Sequence, residues 1–276
     1  MSGIIFAGCS FTHGHGLWYY NQKLYSKYNN DQVVESIIVD RPNHHMRYKD
    51  VLRFPRLVSQ ELEMFEITRL NYSGNDEDSI NFINHVFDYN SPMTQWSTEH
   101  YKYDEVNYIV FQTSRPERCH YITSNGDKIR IYGDENNVYE IFKKYNFIDY
   151  DDYEKKLCQQ LFDRIKKTFI FYENKGIVPL IFNWSNHYNQ LIEDDGYMNK
   201  RKINIKLNNI EYKSLDDVVD VDETLTIHKD YEFFGDNPPI DYHPSKKFHR
   251  IIADSIIEKI RLIERSSLEA PPPNYI

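Results

Sequence analysis

Alanine is almost missing from this chain: among 276 residues it stands only at Ala7, Ala253 and Ala270. Asn, Ile, Lys and Tyr are plentiful instead, with 23 Tyr against 3 Trp. That bias is the mark of an AT-rich coding sequence and decides nothing about chemistry. Cysteine is scarce as well. Cys9, Cys119 and Cys158 lie too far apart for a disulfide framework or a cysteine-rich zinc site. No stretch reaches the roughly 18 apolar residues that a bilayer-spanning helix needs. The opening "MSGIIFAG" has no basic flank, and its apolar run is too short for a secretory signal. An excess of positive charge is also lacking, since 33 Lys and Arg face 42 Asp and Glu for a net charge of −9. General nucleic-acid binding, which needs a basic footprint, is therefore not expected. The local run "NKRKINIK" (199–206) reads as one solvated face.

With 40% hydrophobic and 27% charged residues, the composition is that of a globular protein with a well-buried core. Short apolar runs at 3–8 (GIIFAG), 106–114 (VNYIVFQTS) and 176–184 (GIVPLIFNW), and a weaker one at 65–74, read as buried parallel strands. Helical spacing fills the intervals at 54–65, 78–89, 151–176 and 245–264, with Asp78 or Ser79 as the expected cap of the second. The alternation predicts an α/β domain with a parallel sheet, whose ligands gather at the carboxyl ends of the strands. Loops 8–16, 71–79, 112–118 and 183–187 are thus the candidate sites. Segments 17–53, 119–150 and 201–230 break the alternation and read as insertions, small sheets or lids. Asn125-Gly126 marks a hairpin in the second, and an alternating strand pair stands in the third. One domain over 1–265 and a Pro-rich tail at 266–276 are expected.

The loop after the first strand reads Gly8-Cys9-Ser10-Phe11-Thr12-His13-Gly14. A serine entering a glycine-rich turn is well placed to be an exposed nucleophile, but it needs a histidine base and that base needs an orienting acid. "PPIDYHPSKKF" supplies Asp241 and His243 just before the last helix, with Asp236 as a fallback acid. Competing readings of the loop are weaker. No Lys follows Gly14 or Gly16 as a P-loop requires, and His13 with His15 lack fixed carboxylates at ligand spacing. Neither a metal nor a cofactor is expected. Cys9 is expected to point into the core. His44, His45, His100, His120 and His187 read as surface or lid residues.

Together these blocks resemble those of the SGNH (GDSL-type) hydrolases. Residues 8–14 are similar to Gly-Asp-Ser-x-Thr-x-Gly with Cys9 in place of Asp. Asp241-Tyr242-His243-Pro244 is similar to the block that carries the acid and base, and "LNYSGNDEDSI" (70–80) to the second block. The resemblance implies a three-layer α/β/α flavodoxin-like sandwich and an ester hydrolase. In it Ser10 would be nucleophile, His243 base and Asp241 orienter, with the Gly74 N–H in the oxyanion hole and His13 on the substrate side. Two departures stand out. The third block, Gly-x-Asn-Asp, is replaced by Gln112-Thr113-Ser114-Arg115-Pro116-Glu117-Arg118. Ser114 falls nearest the missing Asn, and Gln112, Thr113 or an arginine such as Arg115 would have to act as donor. The acid also stands two residues before the His, where many members place it three before.

The implied substrate is an O-acyl group on a carbohydrate or similar small-molecule ester, for which Trp18, Tyr19, Tyr20, Trp96 and Trp184 could stack on sugar rings or pack a lid. The rival reading is a binding or structural protein on the same scaffold, weak or inactive as an enzyme, since a fold does not confer activity. Composition and the "GCSFT" loop resemble phage-encoded relatives. The expected setting is therefore the host cytoplasm or the virion, with assembly contacts through the insertions or tail and none with nucleic acid or membrane.

Overall fold

Residues that are apolar on both faces of a strand can only be buried between two layers. Ile4, Ile5 and Phe6 of the first run are wholly buried, and Ala7 is 1% exposed. A computed structural model of the chain describes residues 2–9, 12, 20, 52–68, 75–88, 101–131, 135–236 and 238–269. From the N-terminus it runs β1 (Gly3–Ala7), α1 (Phe54–Glu61), β2 (Phe65–Thr68), α2 (Asp76–Phe87) and β3 (Val106–Gln112). The hairpin β4 (Tyr121–Ile122) and β5 (Lys128–Ile129) follows, then α3 (Glu135–Tyr145), α4 (Tyr150–Glu173) and β6 (Val178–Phe182). Next come α5 (Asn189–Asp194), α6 (Gly196–Arg201), β7 (Ile205–Leu207) and β8 (Ile210–Tyr212). Then α7 (Leu215–Val221), α8 (Tyr231–Phe234) and α9 (Lys246–Glu269) complete the described chain.

Four strands form one parallel sheet in the order β2-β1-β3-β6. Alternate side chains of β1 go to opposite faces. Ile5 and Ala7 join Ile80 and Ile83 of α2 and Leu157, Leu161 and Phe169 of α4. Ile4 and Phe6 join Phe54 and Val58 of α1 and Phe248, Ile252 and Ile256 of α9. The result is a three-layer α/β/α sandwich with the flavodoxin-like strand order, as the resemblance implies.

Both expected hairpins form. Gly126 closes the first with φ 85°, in a turn whose Gly126 N–H donates to the Thr123 carbonyl at 2.9 Å. Asn208 and Asn209 close β7–β8 with φ of 52° and 63°, as a two-residue primed turn requires. Helix α2 starts earlier than the expected cap at Asp78 or Ser79. The Asn75 side chain accepts from the Asp78 N–H at 2.7 Å, so Asn75 is the cap and Asp78 lies in the first turn. Among the described residues no helix is long and apolar enough to cross a membrane.

Candidate active site

The loop after β1 is tied to the end of β3. Gln112 is wholly buried, its Oε1 accepting from Thr12 Oγ1 at 2.6 Å and its Nε2 donating to Cys9 Sγ at 3.2 Å. Cys9 is wholly buried against the α1–α9 face, so its side chain does point into the core. A Cβ on Gly8 would lie 2.2 Å from Thr12 Oγ1 and 2.8 Å from Gln112 Cβ, so only glycine fits this corner. Ser10 falls between Cys9 and Thr12 in the chain and lies outside the described residues, as do His13, His15 and Gly74.

Asp241 and His243 meet at the other end of the chain. Asp241 Oδ1 stands 2.5 Å from His243 Nδ1 and also accepts from the His243 N–H at 2.9 Å. The short Asp-x-His spacing is what lets one oxygen serve both donors. A carboxylate can only accept here, so Nδ1 carries the proton and Nε2 is left as the basic nitrogen. The segment is held from behind by a strand-like pairing that the sequence does not advertise. Ile227 N–H donates to the His243 carbonyl at 3.0 Å, His228 N–H to the Asp241 carbonyl at 2.9 Å, and Ser245 N–H to the Leu225 carbonyl at 2.7 Å. The His228 ring packs 4.2 Å from that of Tyr242. Asp236 is exposed beyond α8.

The dyad opens on a cavity of about 480 Å³, lined by Asp241, Tyr242, His243, Ile240, Arg115, Arg118 and Trp184. Its arginines come from the loop after β3 and its tryptophan from the loop after β6, the carboxyl-end positions where an α/β sheet collects ligands. Arg118 lies 4.8 Å and Arg115 5.5 Å from the Trp184 ring centre. Asp216 at the start of α7 anchors this wall. Its N–H donates to the Trp184 carbonyl at 2.9 Å and its carboxylate lies 3.9 Å from Arg115. Burial raises the Asp216 carboxyl above its ordinary range, and the Arg115 charge partly offsets that.

The other residues of the third-strand loop turn inward. Ser114 is 1% exposed and its N–H donates to Asp76 Oδ1 at 2.6 Å. Thr113 is wholly buried, 3.2 Å from Asn183 Oδ1. Asp76 is itself wholly buried, with Tyr188 OH donating to its second oxygen at 2.8 Å. Burial pushes its carboxyl up to about 6 against the pull of those hydrogen bonds. On the opposite face of the sheet, His249 of α9 is wholly buried, accepts from the Phe54 N–H at 3.2 Å and stacks on Phe54. Burial first, then the charges of Arg53 and His243, depress it to about 3, so it is a neutral packing group.

Sequence reasoning offered an arginine of the 112–118 loop without singling out Arg118, and did not pick out Asp216 or the 225–228 backing segment. The carboxyl-end rule does reach Arg118 and Trp184 through their loops, whereas nothing in the sequence marks the other two. Tyr20 is 1% exposed, packed on Phe233 and Phe234 with its hydroxyl donating to Asp230 at 2.6 Å, so it is a packing anchor and not a sugar platform. Trp18, Tyr19, Trp96, His44, His45, His100 and the tail from 270 lie outside the described residues. His120 sits 3.7 Å from Glu77. Among the described residues, Glu117, Glu154 and His187 bring possible ligand atoms within 4.8 Å of one another. There His187 Nδ1 meets Ser185 Oγ at 2.7 Å and Nε2 lies 3.4 Å from Glu154.

No protein-family profile matches this chain, and no curated protein matches it. A solved structure described as "a putative lipolytic protein of G-D-S-L family" from Desulfitobacterium hafniense DCB-2 is similar over 94% of this chain and 99% of its own. The identity is 9% and the TM-score 0.41. The fold assignment rests on the sheet order and the layers described above.

Proposed function

We propose that this chain is a serine esterase with Ser10 as nucleophile, His243 as general base and Asp241 as orienting acid. Ser10 Oγ attacks the ester carbonyl as its proton passes to His243 Nε2. The bond to the alcohol then breaks, and the same proton goes to the leaving oxygen. Water, activated by His243, hydrolyses the acyl-enzyme and restores Ser10. The oxyanion is assigned to the N–H groups of Ser10 and Gly74, with Arg115 as third donor. Gln112 and Ser114 are the weaker choices for that role, because the first is hydrogen-bonded to Thr12 and Cys9 and the second is buried over Asp76. An O-acyl group on a carbohydrate is the substrate class that the family resemblance implies. Trp184, 9% exposed with both guanidinium groups over its ring, is a support for the arginines and not a sugar platform.

The observation that carries this reading is the Asp241–His243 pair, with Nδ1 at 2.5 Å from the carboxylate on the wall of an open cavity. A structural Asp-His contact needs no such cavity. The test is hydrolysis of 4-nitrophenyl acetate by the intact chain and by Ser10→Ala, with labelling by a fluorophosphonate. Hydrolysis and labelling that both vanish in Ser10→Ala are expected. Equal rates in the two proteins, or no rate and no label in either, would return the chain to the binding-protein reading.

A further inference from the structure

We propose that the cavity beside His243 selects an ester bearing a single negative charge, a carboxylate held by Arg118 with Arg115 beside it on the face of Trp184. The proposal deepens the esterase reading and rests on it for the reaction, though not for the binding.

Arg115 caps the single turn Pro116–Arg118 and Arg118 ends it, and the Arg118 N–H donates to the Arg115 carbonyl at 3.1 Å. Three-residue spacing in such a turn brings both side chains to one side. Both guanidinium groups reach the same indole. A guanidinium stacked on a ring has its face satisfied and its N–H edge directed outward, the edge that forks onto a carboxylate.

The two cavity arginines are not equally paired. Asp241 is turned into the ring and backbone N–H of His243. Asp216 is 3.9 Å from Arg115, long for an ion pair, and offsets part of that charge. Among the described residues Arg118 forms no ion pair at all. Asp76, the acid that feels its charge, is wholly buried beneath the loop. Of the two cavity arginines, Arg118 is the one with no carboxylate partner among the described residues, and one planar fork takes one carboxylate. The Asp241 charge on the same wall weighs against a doubly charged phosphate. The rim on either side of Asp241 is apolar or aromatic, with Ile240 89% and Tyr242 69% exposed, so the remainder of the ligand meets flat surface there.

The test compares 4-acetoxybenzoate with its neutral counterpart 4-acetoxybenzamide on the full chain, on Arg118→Gln and on Arg118→Lys. The acetyl group and the phenyl ring are the same in both, so the ratio of kcat/KM isolates the charge. The intact chain should prefer the benzoate, and the preference should shrink in high salt. Arg118→Gln should lower the ratio about tenfold or more, as expected for losing a charge-assisted hydrogen bond. Arg118→Lys should keep part of the preference, because the charge remains without the fork. Calorimetric titration of Ser10→Ala with 4-hydroxybenzoate reads the same subsite without turnover, and the double variant with Arg118→Gln should bind about tenfold more weakly. Weakened binding with no hydrolysis of either ester would uphold the anion subsite and sink the esterase reading. Hydrolysis with equal ratios in all three proteins, or equal binding in the titration, would overturn the inference and leave the esterase standing.

Discussion

Asp241 uses one oxygen for two donors, the backbone and the ring of His243. That sharing makes a specific statement about substitutions. In Asp241→Asn the amide oxygen can still accept from both, so the ring keeps its orientation and the proton stays on Nδ1. Only the charge that stabilises the imidazolium is lost. The difference between a charged and a neutral hydrogen bond is about 1–2 kcal/mol, so kcat on 4-nitrophenyl acetate should fall roughly ten- to thirtyfold. Asp241→Ala removes orientation together with charge, and its loss should approach the roughly 10⁴-fold cost of deleting a triad acid. Single-turnover rates of the two variants check this ordering. Equal losses would mean that the second carboxylate oxygen, and not the shared one, positions the imidazole.

Helix α7 shows how a short element can set a site wall. Ser214 caps it, with Oγ accepting from the Asp217 N–H at 3.2 Å while the Asp217 carboxylate accepts from the Ser214 N–H at 3.1 Å. The next two N–H groups, of Leu215 and Asp216, donate to the carbonyls of Asn183 and Trp184, both at 2.9 Å. Losing the cap in Ser214→Ala should cost about 1 kcal/mol. For a chain of this size that lowers the melting midpoint by about 2–4 °C, with Ser214→Thr, which keeps the hydroxyl that also donates to Asn186 Oδ1 at 2.9 Å, restoring most of it. An unchanged midpoint would show that the cap does not hold this segment. Nothing of this kind could be read from the sequence, where seven residues give too little periodicity to register. The long elements were legible for the opposite reason. β1, β3 and β6 are continuous apolar runs because both faces are buried, and α4 repeats Leu157, Leu161, Ile165 and Phe169 over 24 residues. Asp241 and His243 stood out because an acid, a His and a Pro crowd before a helix. Arg118 did not, because its meaning depends on Trp184, sixty-six positions away and brought beside it only by the parallel pairing of β3 with β6.

Across the two faces of the sheet, a pair of buried titratable groups pull stability in opposite directions. His249 on the α1–α9 face is depressed from 6.5 to about 3. An unfolded chain binds that proton more readily than the folded one. The stability it contributes is complete above 6.5 and is lost as pH falls from 6.5 toward 3. Asp76 on the α2–α4 face is raised from 3.8 to about 6. Its contribution is complete below 3.8 and is lost as pH rises through 6. Each has a slope of about 1.4 kcal/mol per pH unit inside its window. Between 3.8 and 6 the windows overlap with opposite sign, and the two effects cancel in the intact chain. Replacing either group should expose the other. In His249→Asn, whose amide can still accept from the Phe54 N–H, stability relative to the intact chain should rise as pH falls from 6 to 4. In Asp76→Asn, whose oxygen can still accept from the Ser114 N–H, it should rise as pH climbs from 4 to 6. Urea midpoints at half-unit intervals measure both differences. Slopes of the same sign in the two variants, or flat differences in both, would show that these groups do not stay His-neutral and Asp-protonated in the folded chain across that range.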